Sequence, residues 1–140
     1  MKNLTMTSLM AATVALLAAG SASAQTLKAD IPFTFHAAGA TMAPGAYTVR
    51  SAQSSGSGYV LLTNTDTRKS VLAVYSLTDP SKEWAANGSP MLQFECSGNY
   101  CALSQAWTGA ANPAYLFRGP KPIHEGDIRV AEVRMTTRAD

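Results

Sequence analysis

Apolar and polar residues alternate with a period of two along most of the chain, the spacing of half-buried strands, and no long stretch repeats at helical spacing. From Leu27 to His36, Ile31, Phe33 and Phe35 fall on one face and Pro32, Thr34 and His36 on the other. Pro32 has no N–H to give to a ladder, which places this strand at an edge or makes Pro32 a strand start. Met42-Ala43-Pro44-Gly45 reverses the chain, Pro-Gly suiting a type II turn, and Tyr47 and Val49 then share a face over residues 46–50. Ser51 to Gly58 reads as a Ser/Gly-rich connection in which Gly56-Ser57-Gly58 is a flexible turn. Tyr59 to Thr63 is a compact apolar strand, and Asn64-Thr65-Asp66-Thr67 is a turn. Over Ser70 to Leu77, Val71, Ala73, Tyr75 and Leu77 share one side and Leu72 and Val74 the other, so both faces are candidates for burial.

The pattern continues into a hairpin over residues 91–107. Leu92, Phe94 and Cys96 alternate with Gln93 and Glu95; Cys101, Leu103, Gln105 and Trp107 share a face of the returning strand. A four-residue loop, Ser97 to Tyr100, sets Cys96 opposite Cys101. A strand over Ala114–Arg118, a rigid Gly119-Pro120-Lys121-Pro122 segment and a last strand over about Asp127–Thr136 complete the chain. In that last strand Ile128 and Val130 are out of phase with Val133 and Met135, which predicts a bulge near Ala131-Glu132. One brief helix is predicted over residues 80–86, capped by Asp79, started by Pro80 and ended by Asn87-Gly88, with Trp84 covering one end of the sheet. About eight short strands at this spacing make an all-β domain, an antiparallel sandwich in the first instance and a small closed barrel in the second. A membrane barrel needs strands of roughly 9–11 residues, and several of these segments are shorter.

The N-terminus does not fit that alternation. Residues 1–24 combine a basic Lys2, a short apolar run from Leu9 to Ala19 broken only by Thr13, and Ala22-Ser23-Ala24, the pattern of a signal peptide cleaved before Gln25. The run is well under the roughly 20 residues of a membrane-spanning helix, and no cysteine follows it to take a lipid. Removing 24 of the 140 residues leaves 116, residues 25–140, as one all-β domain expected in the periplasm or outside the cell. Export makes a Cys96–Cys101 disulfide the default state of the two cysteines. Their spacing is not the Cys-x-x-Cys of a redox catalyst, and two thiolates without a neighbouring His are too few for a metal. With 11 basic against 9 acidic residues and no basic run, charge-driven nucleic-acid binding is excluded; 46% hydrophobic residues exclude disorder.

The segment Ile31-Pro32-Phe33-Thr34-Phe35, followed by Met42-Ala43-Pro44-Gly45-Ala46-Tyr47-Thr48-Val49, resembles a group of small exported bacterial proteins of unknown function that begin IPF-x-F … PAG-x-Y-x-V. This chain has Ala-Pro-Gly where the group has Pro-Ala-Gly, and the match spans residues 29–50, about a fifth of the 116 that follow the leader. The resemblance implies an exported all-β domain and carries no catalytic residues. The same pattern is a folding signature: two strands with apolar faces and a Pro-Gly reversal between them.

Catalytic motifs are missing from the sequence: no Gly-x-Ser-x-Gly, no Gly-x-x-x-x-Gly-Lys and no Gly-x-Gly-x-x-Gly. His36 lies on the polar side of its strand, and His124 in the polar run Pro122–Asp127, whose His-Glu-x-Asp order is not a recognised ligand spacing; neither a metal nor a cofactor is expected. Glu95 and Glu132 alternate outward, giving no carboxylate pair for glycoside hydrolysis. Trp84, Trp107, Tyr59, Tyr75, Tyr100 and Tyr115 read first as packing aromatics and second as a groove for a carbohydrate or peptide. Tyr100, in the hairpin loop, and Trp84 are the most exposed of these; with Arg118 and Lys121 beside Pro120 and Pro122 they make the candidate binding surface. The function expected is a non-enzymatic exported module that binds or supports a protein or glycan of the cell envelope. The alternatives are a carrier of a small apolar ligand, opposed by a core packed with Phe33, Phe35 and Phe94, and an enzyme using His36 or His124.

Overall fold

The computed structural model describes residues 26–54, 57–119 and 127–137. The expected leader (residues 1–24), Lys121 and His124 lie outside the described residues. The elements are β1 (Leu27–Ile31), β2 (Phe35–Ala37), β3 (Ala40–Met42), β4 (Gly45–Ser54), β5 (Ser57–Asn64), β6 (Ser70–Thr78), α1 (Lys82–Asn87), β7 (Met91–Ser97), β8 (Tyr100–Trp107), β9 (Ala114–Phe117) and β10 (Arg129–Thr137). Neighbouring strands run β8-β7-β10-β1-β4-β5-β6-β9, and β9 pairs back onto β8. That last pairing, Gln105↔Leu116 to Trp107↔Ala114, closes an eight-stranded antiparallel barrel where a sandwich was the first expectation. Closure leaves none of these eight strands as a free edge along its whole length. The β2–β3 hairpin is attached outside the ring, β2 pairing in parallel with β8 at His36↔Ala102.

Eight strands give an interior just wide enough for side chains to fill. Leu27, Ala29 and Ile31 of β1, Tyr47 and Val49 of β4, Val60 and Leu62 of β5, and Leu92 and Phe94 of β7 are all buried in one core. The hairpin adds its Phe35 and Met42 to the same core, with Phe35 edge-on to both Tyr47 and Phe94 at 5.3 Å and Phe33 edge-on to Phe94 at 5.0 Å. Lys28, Asp30, Arg50, Glu132 and Arg134 are exposed on the outside. Tyr59, Leu72, Val74, Leu77, Leu116 and Val130 are exposed there as well, so the outer surface mixes charged and apolar side chains. No helix among the described residues is long and apolar enough to cross a membrane.

Several local expectations are corrected, each by an identifiable residue. The run from Leu27 to His36 is two strands, because Pro32 cannot donate to a ladder and the chain breaks at Pro32-Phe33-Thr34. Residues 51–54 and 57–58 are the ends of two strands: Ser51↔Val60 through Ser54↔Ser57 pair in register. The 91–107 hairpin turns through two residues, Gly98-Asn99, since Ser97 pairs with Tyr100; Gly98 at φ 58° supplies the positive φ that a type II′ turn needs first. The predicted bulge in the last strand is on β8 instead. Gln93↔Gln105 is followed by Phe94↔Leu103, so Ser104 is the extra residue, and its hydroxyl donates to the Gln93 carbonyl at 3.0 Å. β10 runs without a shift against β7, with Met135 buried and Ile128 and Val130 exposed.

The bulge turns Trp107 off the face it was expected to share with Cys101 and Leu103. It leaves the main core and packs in a second cluster with Trp84 and Ala114. Helix α1 supplies Trp84: Ser81, not Asp79, is the N-cap, its hydroxyl accepting from the Trp84 N–H at 3.1 Å, and Gly88 ends the helix in the left-handed region. The indoles stack with centroids 6.3 Å apart, and Trp84 Nε1 donates to Glu132 Oε1 at 3.2 Å.

Cys96 and Cys101 are opposite one another, 4.0 Å between Cα atoms, and disulfide-bonded. The loop they close is short, so the crosslink contributes about 2 kcal/mol by chain entropy. Cys96→Ala/Cys101→Ala should therefore fold, held by the Gly98 turn and the ladder, and unfold at a lower temperature by that amount. Equal melting of the parent with and without reductant would show that the staple is not formed in solution.

Tyr75 lies inside the barrel against Tyr115, ring centroids 4.0 Å apart, and its hydroxyl is buried with no hydrogen-bond partner among the described residues. Burial pushes its pKa above the ordinary 10.0, and the adjacent Tyr115 phenol adds to the rise. A raised folded value means that the neutral phenol stabilises the fold in full below the unfolded pKa, and that this stability is lost as pH rises through the folded one. Tyr75→Phe should be neutral or slightly stabilising at pH 7, because it removes an unpaired buried hydroxyl. It should also weaken the loss of stability above pH ~10. Denaturant unfolding of both proteins at neutral and alkaline pH checks this; identical alkaline slopes would refute it.

Candidate functional site

The barrel closes unevenly along one seam. β9 has only four residues. It pairs with β6 from Tyr75 to Thr78 and with β8 from Gln105 to Trp107. The first half of β6, up to Val74, and the first half of β8 therefore reach past the end of β9. The tip of the β2–β3 hairpin comes into this space, with β2 touching β8 at Ala102. The result is a cleft of about 160 Å³. Its floor and walls are small or apolar: Ala37, Ala73, Val74, Ala102, Leu103 and Phe117. Its polar groups are His36, Tyr100 and Arg118.

Each polar group is placed by a feature already described. His36 is the outward residue of β2 between buried Phe35 and Ala37. Tyr100 is the first residue of β8, one step beyond the disulfide, in a turn whose Gly98 carbonyl accepts from Arg129 Nη2 at 2.9 Å. The two rings stack, centroids 4.2 Å apart and 16° from parallel. The Thr41 hydroxyl shares a hydrogen bond with His36 Nδ1 at 3.2 Å. Arg118 follows β9 directly and is exposed. No carboxylate is among the described residues that line the cleft. A second groove of about 330 Å³ adjoins it across Phe117 and Arg118 and reaches Glu95, Ser104 and Leu116. Ser104, the bulged residue, thus sits in the wall of that groove.

The hairpin tip at the cleft is strained. Ala38 and Gly39 both have positive φ, 50° and 81°, as a two-residue type I′ turn requires. Glycine adopts this freely; alanine in the left-handed region costs about 1 kcal/mol. Ala38→Asn should recover much of that cost and raise the midpoint of urea unfolding. A fall in the midpoint would mean that the tip is held in shape by contacts that asparagine breaks.

Of the candidate residues, the structure brings Tyr100 and Arg118 to one cleft and adds His36, which the sequence marked separately as a possible catalytic group. Trp84 is not with them: it is 2% exposed beneath its contact with Trp107 and presents no free ring face. Lys121 and His124 lie outside the described residues. The apolar floor carried no sequence signal, because Ala37 and Ala73 each alternate like any core residue. Among the described residues no three His, Cys, Asp or Glu side chains are grouped to hold a metal. Thr41 and His36 pair a hydroxyl with an imidazole, and no carboxylate is among the described residues that line the cleft. The arrangement suits recognition: a guanidinium for an anion, stacked rings for a planar group, and a small apolar floor.

No family model matches the chain, and no curated protein and no solved structure is significantly similar to it.

Proposed function

We propose that the protein is an exported, non-enzymatic β-barrel module of the cell envelope, and that it holds its partner, a protein or a glycan, at the seam cleft. Export rests on the leader at residues 1–24 and fits the resemblance over residues 29–50 and the disulfide. The observation that carries the binding role is the convergence of His36, Tyr100 and Arg118 on one cleft. The carrier alternative needs space inside the barrel, and Phe35, Phe94, Tyr47 and Leu62 take up that interior. The enzyme alternative has His36 in the cleft with the Thr41 hydroxyl and the Tyr100 ring beside it, and no carboxylate among the described lining residues.

The test uses the chain purified from the periplasm of an expressing cell. N-terminal sequencing should begin at Gln25. Titration with envelope glycan fragments and with peptides, followed by backbone amide shifts, should move residues of β2, the Gly98 turn and Arg118, and each ligand should be recovered chemically unchanged. Shifts confined to another face, conversion of a ligand, or a retained leader would each overturn the corresponding part of the proposal.

A further inference from the structure

We infer that the cleft receives the C-terminal residue of a peptide chain, an aromatic side chain with its free α-carboxylate. This rests on the reading of the cleft as the binding surface and narrows its partner to a protein. Three observations lead to it. First, about 160 Å³ is below the roughly 300–1,000 Å³ of sites that enclose a whole drug-sized ligand, so the cleft by itself suits one side chain, and anything larger extends into the adjoining groove. Second, its walls suit a planar apolar group: Phe117 and the stacked His36–Tyr100 pair bound a floor of the buried Ala37 and Ala73, with the exposed Val74 beside it. Aromatic rings pair favourably edge-on or offset in such surroundings.

Third, the charge at the cleft is one-sided. Arg118 lies at its edge, exposed, and no carboxylate is among its described lining residues. A guanidinium binds a carboxylate through two parallel hydrogen bonds. An anionic group attached directly to an aromatic residue is what a C-terminal Phe, Tyr or Trp presents, and capture of chain termini is a recurring mode of peptide recognition. The adjoining groove shares Arg118 and Phe117 with the cleft and runs on past Ser104 to Glu95, which gives the upstream peptide a path away from the buried end.

A glycan fits these walls less well. Its described lining residues include no Asp, Asn, Glu, Gln, Ser or Thr. Sugar hydroxyls pressed against Ala, Val, Leu and Phe would lose water and find hydrogen bonds only at His36, Tyr100 and Arg118, which is costly.

The experiment is fluorescence anisotropy with the mature, oxidised chain and a labelled Gly-Ser-Gly-Phe peptide ending in a free carboxylate. The same peptide with a C-terminal amide and one ending in Ala are the comparisons, and a murein glycan fragment is followed by amide shifts. The free acid should bind more tightly than the amide by about 10- to 100-fold, the usual worth of a charge-assisted contact. The Ala peptide should lose about 10-fold or more with the ring's burial. Arg118→Gln should remove the difference between acid and amide while leaving thermal unfolding unchanged, and Arg118→Lys should restore part of it. Equal binding of acid and amide, or a preference that survives Arg118→Gln, overturns the inference. If the glycan fragment moves the cleft's amides and no peptide does, the peptide inference falls and the binding module stands; if neither does, both fall.

Discussion

Phe94→Ala should cost the barrel about 3–5 kcal/mol, the range for deleting a large buried aromatic side chain. Phe94 is fully buried. It is also a junction: it meets Phe35 at 5.3 Å and Phe33 at 5.0 Å, both edge-on, and these two come from the segment that leaves β1 and enters the hairpin. Truncation removes its own apolar burial, forfeits two aromatic pairs and leaves a void that the closed sheet cannot collapse into, since ladder hydrogen bonds hold the wall on every side. The void would be lined by apolar atoms, so it should stay dry and accept a small apolar molecule. Urea unfolding gives the first quantity, and a rise in melting temperature with added benzene gives the second. The parent, whose interior is filled, should show no such rise. Stabilisation of the parent by benzene, or a loss below about 1 kcal/mol in the variant, would show an interior loose enough to admit a ligand and would revive the carrier alternative.

The same residue shows what the sequence made legible. Leu92, Phe94 and Cys96 alternate with Gln93 and Glu95, and alternation alone puts Phe94 inside. Ile31, Tyr47, Val49, Val71 and Tyr75 were found in the same way, and Cys96 opposite Cys101 followed from the turn between them. Closure was not legible. Whether a sheet bends round on itself depends on whether its last edges meet, and β9 meets β8 over only three residue pairs. Nor was the bulge. A strand with one extra residue looks in sequence like a strand with poor alternation, and Ser104 is small and polar enough to be placed anywhere. Because that residue shifts the phase, Trp107 was assigned to the wrong face and Trp84 to an exposed surface when each covers the other. The cleft was half visible. The sequence marks Tyr100 by its hairpin loop, Arg118 by the prolines that follow it and His36 as a histidine on the polar side of its strand, but their meeting depends on β9 ending early, and hydropathy does not record the end of a strand pairing.

Gly58→Ala should be the other strongly destabilising change, by about 3 kcal/mol or more, although it adds one methyl group to a segment that reads as a flexible connection. In the structure Gly58 is in β5 opposite Tyr75, and the Tyr75 ring lies over it. A Cβ at position 58 would sit 2.1 Å from the Tyr75 hydroxyl oxygen and 2.3 Å from Cζ, distances no pair of atoms can hold. The backbone cannot yield readily, because β5 is paired on both sides, with β4 and with β6. The ring must go, and leaving means giving up its stack on Tyr115 and a place in the core where it is only 6% exposed. The cost therefore approaches that of losing the Tyr75 side chain altogether. This is a statement about a pair, and a double-mutant cycle isolates it. Tyr75→Ala alone should also be costly. Once the ring is gone, Gly58→Ala should be harmless or should gain a few tenths of a kcal/mol, since alanine loses less backbone freedom than glycine on entering a strand. If Gly58→Ala costs the same with and without Tyr75, the clash is not its cause, and the glycine is needed instead for its backbone. The β6 residues just before Tyr75, Ala73 and Val74, form the cleft's wall. Gly58→Ala should therefore weaken peptide binding as well, whereas Tyr75→Phe, which keeps the ring in place, should not.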